Sequence, residues 1–597
     1  MPRPIAIALA CGLVLAGTVA GAANPDLPQA DAQLRQLFAD EWAERVRDDP
    51  LYATAVGVHD YDDRLPTATP ADYARQLARD RAFEQRLRAL PRASLPPAEQ
   101  LNYDLFDYEL RDRIALAPFR DWRIPLTSDS GFHTEVLLMA DGVAMTRPED
   151  YQRFIARLNA VPDYFAQQIA NLRLGLAEGY TLPAAVMPGV LKIIQGQQYA
   201  SAEACPLYEP FRHFPDTIPA AERQRLLAAG RMAIETQVLP AYRRLLEFFR
   251  DSYAPAARQG IAATELPDGK ALYAALVRHY TTLDVTPEQV HRIGLEEVAR
   301  IQRDMDAAMR ATGFQGDFAA FLQFLRTDPQ FYATTPQQLL ERASFIAKQI
   351  DGKLPAFFGK LPRLPYSVQP VPADLAPNYT AGRYSPPPLG GTRGGEYWVN
   401  TTSLNQRPLY ALTALTLHES VPGHHLQIAL ALELPDVPPF RQQLYPDAFG
   451  EGWGLYSEKL GEDMGMYRTP YDEFGRLTYE MWRACRLVVD TGMHAFGWSR
   501  EQAREYLRGH TALSEREVQT EIDRYIAWPG QALAYKMGEL KILELRRRAR
   551  ERLGADFDIR AFHDAVLDNG GVPLPVLERQ IEAYIATARR GAPSTLQ

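Results

Sequence analysis

The chemistry-bearing residues with the most informative spacing lie between positions 418 and 425. Three of the chain's 11 histidines fall there, at His418, His424 and His425, and Glu419 directly follows the first. Zinc hydrolases often carry His-Glu-x-x-His on a helix, where both histidines face one metal and the glutamate activates a water molecule. Here Pro422 occupies the place of the second histidine. The residue types therefore indicate a metal site, but their spacing does not fit a regular helix.

A regular helix would keep these histidines apart. At ~100° and 1.5 Å per residue, His424 would point away from His418, and His425 would lie ~10 Å along the same face. Pro422 would clash with the carbonyl four residues earlier, and Gly423 relaxes the backbone after it. A kink or bulge there would bring His424 to the place of a second ligand. We therefore predict His418 and His424 as metal ligands, with His425 as the open alternative to His424.

The third predicted ligand is Glu451, which lies 27 residues after His424 at the start of an apparent helix. Two histidines and one carboxylate, with a position left open for water, form a catalytic type of zinc site, whereas structural sites prefer cysteine. On a helix, Glu451 shares a stripe with Glu458 and Glu462. An exposed acidic stripe without a metal is therefore the alternative.

Three further motifs follow the histidine segment, namely Gly450–Glu458, Arg486–His494 and Arg524–Gly538. Together with His418–Gln427 they resemble the bacterial domain-of-unknown-function family 885. Through this family the chain is similar to the gluzincins, zinc peptidases such as thermolysin, angiotensin-converting enzyme and carboxypeptidase Taq. The resemblance implies a mainly α, large helical gluzincin-like fold with a small β-sheet beside the active-site helix. It also implies one Zn²⁺ per chain on His418, His424 and Glu451.

The resemblance further implies roles for residues around the metal. Glu419 would be the general base, Tyr535 would donate to the developing oxyanion, and His494 would bind substrate or the oxyanion. The i, i+4 spacing of Asp490 and His494 would in addition let that carboxylate orient the imidazole, and Glu458, on the stripe of Glu451, would orient a ligand imidazole. A buried structural histidine, a core tyrosine and a surface carboxylate are the respective alternatives for His494, Tyr535 and Glu458.

A β-prone region precedes the predicted metal helix. Its short runs are separated by proline- and glycine-rich turns and span Tyr366–Val371, Ala381–Tyr384 and Glu396–Asn400. The resemblance implies that Tyr397–Asn400 is an edge strand that pairs with the substrate backbone, and a purely structural sheet is the alternative. Arg524 and Tyr525 are further candidates, for holding a substrate carboxylate.

The first 22 residues are typical of a secretory signal peptide. Arg3 is their only charged side chain, an apolar run spans positions 5–19, and Ala20-Gly21-Ala22 fits a cleavage site. Lipidation at Cys11 is the less favoured alternative. No second long apolar run follows, so we expect a periplasmic or secreted protein without a transmembrane anchor. After removal of the signal, Cys205 and Cys485 remain, as a disulfide or as two thiols.

Composition limits the remaining possibilities. The formal charge of −9 is modest and spread along the chain, which argues against nucleic acid as a partner. No Gly/Ser-rich linker or repeat divides the chain, so we predict a single α-helical domain over 23–597, with the catalytic motifs in 396–540. Helical signals include capping-box spacings at Thr286–Gln289 and Ser499–Gln502.

These observations predict an exported zinc metallohydrolase that cleaves peptide bonds. The first alternative is a metal-dependent amidase or hydrolase that acts on a non-peptide amide with the same site. The second is a catalytically inactive binding protein that keeps the fold. No sequence feature distinguishes endo- from exopeptidase cleavage or gives an oligomeric state.

Overall fold

The computed structural model of the chain describes residues 27–591 apart from 141–142, 144, 373–375, 377–379 and 388–392. The predicted leader at 1–22 and Cys11 lie outside the described residues. Most of the described chain is helical, and the mainly α prediction is confirmed. None of the described helices is both long and apolar enough to cross a membrane.

The α-helices that precede the sheet make up the first half of the described chain. They are α1 Leu27–Asp48, α2 Pro50–Ala55, α3 Pro70–Arg88, α4 Pro97–Leu116, α5 Phe132–Glu135, α6 Pro148–Glu178, α7 Met187–Gly196, α8 Ala220–Ala233, α9 Leu239–Phe248, α10 Gly269–Thr281, α11 Pro287–Ala311, α12 Phe318–Thr327 and α13 Pro336–Asp351. The predicted capping box at Thr286 is present at the start of α11, and it satisfies backbone N–H groups that the helix itself leaves unpaired.

The helices of the second half contain the predicted site. They are α14 Leu409–Glu419, α15 His424–Leu432, α16 Pro439–Gln443, α17 Asp447–Asp463, α18 Pro470–Ala495, α19 Arg500–His510, α20 Glu515–Ala527, α21 Ala534–Leu553, α22 Ile559–Leu567 and α23 Leu574–Gly591. The predicted capping box at Ser499 is present at the start of α19. A continuous set of buried apolar side chains extends from Ala30 on α1 to Ile585 on α23.

A three-stranded sheet lies beside α14 and α15. Its strands are β1 Tyr366–Pro370, β2 Gly382–Ser385 and β3 Gly395–Val399, in the order β1-β3-β2. β3 pairs in parallel with β1 and antiparallel with β2. The prediction that Tyr397–Asn400 forms the edge strand is therefore wrong. Alternate residues of β3 are buried, and β2 is the edge strand next to the histidine helix.

The helices that bear the candidate site residues pack closely through glycine. α17 packs against α21 and α14, and α14 also packs against α18. A Cβ atom on Gly452 of α17 would lie only 2.5 Å from the Cα atom of Gly538 on α21. Side chains larger than hydrogen would therefore force these helices apart. The close approach brings Glu451 and Tyr535, which neighbour this contact in sequence, to the same region of the fold.

The two cysteines of the described chain do not pair. Cys205 and Cys485 are both buried free thiols. Burial raises the pKa of the Cys205 thiol to about 11, which keeps it protonated and unreactive at neutral pH. Of the two possibilities open from the sequence, the structure therefore contains the two thiols and not the disulfide.

Candidate metal centre

The histidine segment is divided into two helices at the predicted break. α14 ends at Glu419, and α15 begins at His424. The chain between them is held by hydrogen bonds: the backbone N–H of His425 donates to the Ser420 carbonyl at 3.1 Å, and the indole N–H of Trp453 donates to the Pro422 carbonyl at 2.7 Å. A kink therefore replaces the regular helix, as Pro422 predicts.

This break brings His418, His424 and Glu451 together. One ligand atom from each lies within 4.8 Å of the other two, and these three form the one such group among the described residues. The Nε2 atoms of His418 and His424 each lie 3.4 Å from Oε2 of Glu451. The two imidazole rings are nearly perpendicular, with centroids 4.7 Å apart. Two nitrogen donors and one carboxylate oxygen thus converge on one point.

The electrostatics of this cluster favour a positive charge beside Glu451. Burial alone would raise the pKa of Glu451, but His424 and His418 outweigh that effect and hold it well below its usual range. Burial likewise opposes charge on His418, yet the neighbouring carboxylates of Glu451 and Glu458 raise its pKa to about 10. Oε2 of Glu451 is buried and has no hydrogen-bond partner among the described residues. A divalent cation between the three groups would satisfy this oxygen.

The ring of His418 is oriented from its far side. Its Nδ1 atom lies 2.8 Å from Oε1 of Glu458, which follows Glu451 on α17 by seven residues, about two helical turns. A hydrogen on Nδ1 leaves the lone pair of Nε2 free to bind a metal, which is the arrangement found in carboxylate–histidine–metal sites. A Cβ atom on Gly454 would lie 2.7 Å from Cε1 of His418, so glycine at this position makes room for the ring.

Two residues that sequence reasoning missed contact His424. The side-chain amide nitrogen of Gln427 lies 2.8 Å from Nδ1 of His424 and also donates to the Gly450 carbonyl at 2.9 Å. The hydroxyl of Tyr445 lies 3.5 Å from the same Nδ1 atom. Gln427 lies one helical turn after His424 on α15, and this spacing could have predicted their contact from sequence. Tyr445 precedes α17 in a loop and had no comparable signal.

Glu419 lies at the end of α14, beside the sheet. Its side chain is buried, and Oε2 accepts a hydrogen bond from the backbone N–H of Tyr384 at 2.8 Å. Tyr384 belongs to β2, so the edge strand fixes the position of the predicted base. This contact places β2 directly beside Glu419.

His425 points away from the cluster. Its Nδ1 atom accepts a hydrogen bond from the Tyr384 hydroxyl at 3.0 Å, and its Nε2 atom donates to the Leu364 carbonyl at 3.1 Å. Burial lowers the pKa of this imidazole to about 4, so it is neutral at physiological pH. Both nitrogens are already used. The structure therefore brings His424, and not His425, to His418 and Glu451.

Tyr535 lies next to the cluster, at the start of α21. Its ring is nearly parallel to that of His418, with 6.4 Å between the centroids. Its hydroxyl lies 3.4 Å from Nη2 of Arg524 on α20. Tyr525, the neighbour of Arg524, is buried, and its hydroxyl accepts hydrogen bonds from Trp482 and Arg486. Of the two carboxylate-binding candidates, Arg524 is therefore the one close to Tyr535.

The structure does not bring His494 to the cluster in the predicted way. The ring is fully buried, Nδ1 accepts from the Ala263 backbone N–H at 2.9 Å, and Nε2 donates to the Tyr525 carbonyl at 3.0 Å. Asp490 does not orient it, because that carboxylate accepts from the Tyr273 hydroxyl and the Gly530 backbone N–H. With both nitrogens bound to backbone, His494 has no hydrogen bond to offer a substrate. These contacts favour the structural alternative for His494 over the predicted catalytic role.

Comparison with known protein families identifies the chain. The family described as "Bacterial protein of unknown function (DUF885)" matches residues 50–581. The chain belongs to DUF885. All the residues of the metal-ligand cluster in this DUF885 protein fall within the matched range. No curated protein matches the chain.

Two solved structures are similar to this DUF885 protein. One is described as the crystal structure of "the putative lipoprotein from Colwellia psychrerythraea". It is 28% identical, with a TM-score of 0.86 over 94% of this chain and 100% of that chain. The other is described as "a putative lipoprotein of unknown function from Shewanella oneidensis", 18% identical, with a TM-score of 0.71 over 92% and 99% of the chains. The fold of this DUF885 protein is therefore one that solved structures share over almost its whole length.

Proposed function

We propose that this DUF885 protein is a zinc-dependent peptidase of the gluzincin type. The observation that carries the proposal is the convergence of His418, His424 and Glu451 with Glu419 and Tyr535 beside them. Two imidazoles and one carboxylate are the ligand set of catalytic zinc sites, and cysteine, which marks structural sites, is absent from this cluster. The buried, unpartnered Oε2 of Glu451 is an atom that a bound cation would satisfy.

Each neighbouring residue has a role that follows from its position. Zinc bound at this cluster would act as a Lewis acid that polarises a peptide carbonyl and makes water nucleophilic near neutral pH. Glu419 takes the proton from the attacking water and delivers it to the leaving amine. Tyr535 donates its hydroxyl proton in a hydrogen bond to the negative charge that develops on the carbonyl oxygen. Glu458 fixes the orientation of the His418 imidazole by accepting its Nδ1–H.

The edge strand β2 supplies a surface for the substrate backbone. Its one side pairs with β3, and the outward N–H of Tyr384 on its other side meets Glu419. A peptide that lies along this edge of the sheet in extended form would pass directly beside the proposed base. The substrate-pairing role that the resemblance suggested for Tyr397–Asn400 is accordingly proposed for Gly382–Ser385.

Export is part of the proposal. The signal-peptide features of residues 1–22 support it, as does the similar structure from Colwellia psychrerythraea, which is described as a "putative lipoprotein". A peptidase in the periplasm or at the cell surface would act on extracytoplasmic peptides. The Ala20-Gly21-Ala22 site and the Cys11 thiol predict different mature N-termini, and N-terminal sequencing of the exported protein distinguishes them.

The test compares purified wild-type protein with Glu419→Gln. We expect about one zinc per chain in both by elemental analysis, and digestion of a mixed peptide library by wild type alone, read by mass spectrometry. Glu419→Gln keeps the shape and the acceptor for the Tyr384 N–H but removes the base, so turnover falls by roughly 10²-fold or more. Zinc-loaded wild type that cleaves no peptide contradicts the proposal. Loss of zinc from Glu419→Gln would make Glu419 a ligand instead.

A further inference from the structure

Three arginines lie around Tyr535, and we call Arg483, Arg486 and Arg524 the arginine cluster. Arg486 and Arg524 share one carboxylate, Glu521: its two oxygens lie 2.9 Å from Nη2 of Arg486 and 3.6 Å from Nη1 of Arg524. Arg483 approaches Glu458 at 3.5 Å, and that carboxylate also receives His418. The three guanidinium groups of the arginine cluster thus face two carboxylates, those of Glu521 and Glu458. A buried surplus charge is unfavourable unless an ion of opposite sign binds there.

Arg486 shows where that ion would bind. The carbon at the centre of its guanidinium group lies 4.4 Å from the ring centroid of Trp482 and 4.3 Å from that of Tyr535. Nε donates to the Tyr525 hydroxyl at 2.7 Å. Nη1 is buried and has no hydrogen-bond partner among the described residues. Because only 1% of Arg486 is exposed, bulk solvent does not supply that partner. Because guanidinium N–H groups donate in the plane of the group, this edge needs an acceptor between the two rings.

Arg524 connects this buried group with the solvent and with the metal-ligand cluster. Its side chain is 15% exposed. Nη2 donates to Gln531 at 2.8 Å and lies 3.4 Å from the hydroxyl of Tyr535. The ring of Tyr535 in turn lies 6.4 Å from the ring of His418. An anion held by Arg524 would therefore lie about one side chain away from the atoms proposed to cleave the peptide.

We propose that the arginine cluster binds the C-terminal α-carboxylate of the peptide substrate. This inference rests on the proposed peptidase function and specifies its substrate class. Carboxylates accept paired, charge-assisted hydrogen bonds from guanidinium groups. Consecutive Cα atoms are about 3.8 Å apart, so a carboxylate held beside Tyr535 leaves room for one or two residues after the cleaved bond. The reaction is hydrolysis: the C–N bond breaks, the carbonyl carbon gains OH, and the amine that leaves gains H.

The experiment uses two peptide sets of the same sequences, one with free C-terminal carboxylates and one with C-terminal carboxamides. Zinc-loaded wild type is expected to cleave the acids with a kcat/KM roughly 10- to 100-fold above that of the amides. The products should be single residues or dipeptides from the C-terminus.

Arg524→Gln should lose the preference for free acids by slowing only the cleavage of the acids, mainly through KM, and Arg524→Lys should keep part of that preference. Arg516→Gln, an exposed arginine on the same helix, is the matched charge control and should behave as wild type.

Several results would overturn the inference. Wild type that cleaves acids and amides equally, or that releases internal fragments, has no subsite for a terminal carboxylate. Arg524→Gln that slows both sets by the same factor, with normal zinc content, shows a structural role for Arg524 only. Preference for acidic side chains in amidated peptides would place a different anion at the cluster.

A binding measurement separates this inference from the proposed function. Saturation-transfer NMR is recorded on the protein with a mixture of N-acetyl amino acids and, separately, with the corresponding amides. Acids that bind wild type and not Arg524→Gln support the subsite even if neither peptide set is hydrolysed, a result that would contradict the peptidase proposal alone. Hydrolysis of peptides without selective binding of the acids contradicts the subsite and leaves the peptidase proposal intact.

Discussion

Trp453 donates its indole N–H to the carbonyl oxygen of Pro422 at 2.7 Å, and this bond joins two parts of the candidate metal centre. Pro422 lies in the break that separates His418 from His424, and Trp453 lies two residues after Glu451 on α17. The helix that supplies the carboxylate thus also fixes the kink that aligns the imidazoles. Trp453 is fully buried, so its indole N–H needs an acceptor, and the Pro422 carbonyl is that acceptor.

Replacing Trp453 with phenylalanine tests this coupling. The change leaves the Pro422 carbonyl without its donor, so we expect a loss of about 1–3 kcal/mol in unfolding free energy. Zinc affinity should fall by roughly 10-fold or more, because the second histidine is less well aligned. Trp528→Phe is the matched control: it removes an indole bond to the Tyr280 hydroxyl and should lower stability without changing zinc affinity. Competitive zinc titration and thermal unfolding measure the two quantities, and equal zinc affinity in all three proteins contradicts the coupling.

The choice between the two adjacent histidines gives a second prediction. His424→Ala removes one of three proposed protein ligands and should abolish stoichiometric zinc binding. His425→Ala should keep zinc, because that ring bonds to Tyr384 and the Leu364 carbonyl instead. Its expected effects are lower stability and roughly 10- to 100-fold lower activity, through the displaced Tyr384 and the Glu419 that it holds. Dialysed variants are compared by elemental analysis, and the opposite pattern would assign the second ligand to His425.

The metal-ligand cluster could be anticipated from sequence because its signals are local. Ligand types and the helix-breaking Pro422 indicated that His418 and His424 would meet, and the catalytic ligand set pointed to a carboxylate such as Glu451. The strand order could not be anticipated in the same way. Whether β3 lies at the edge depends on its pairing with both β1 and β2, and those pairings are set by long-range packing.

The contacts of His494 could not be anticipated from sequence for the same reason. The spacing of Asp490 and His494 places both on one helical face, but it does not show which distant groups reach them first. Asp490 is taken by Tyr273 of α10, more than 200 residues earlier, and His494 by backbone groups of Ala263 and Tyr525. Local spacing favours a pair only where no tertiary partner competes. The arginine cluster, too, depends on tertiary packing, since α18 and α20 meet there.

A third prediction concerns the carboxylate behind His418. Glu458→Gln keeps a hydrogen-bond acceptor for Nδ1 but removes the negative charge that raises the basicity of the imidazole. We expect zinc affinity to fall by roughly 10-fold. Asp463→Asn removes a charge from the same helix, at an ion pair with Arg546, and should leave zinc affinity unchanged. Chelator competition at fixed pH measures both, and similar losses in the two variants would indicate a general charge effect instead of a specific one.

The last prediction uses the pH dependence of stability to test the structural role of His494. Burial lowers the pKa of this imidazole from its usual value of 6.5 to about 4. Between these pH values the unfolded chain binds a proton that the folded chain does not, so folding stability falls as the pH drops from 6.5 toward 4. The contribution of one such group is at most about 1.4 kcal/mol per pH unit.

His494→Gln offers an amide N–H and a carbonyl oxygen for the same two backbone partners but does not titrate there. Its unfolding free energy, measured by denaturant titration across this range, should therefore fall less steeply with acid than that of wild type. His213→Gln, at an exposed ring, is the control and should keep the wild-type slope. Peptide hydrolysis at pH 7.5 should stay within a few-fold of wild type, because His494 has no hydrogen bond to offer the substrate. A loss of roughly 10²-fold or more in turnover with unchanged acid sensitivity would return His494 to the catalytic role that the sequence suggested.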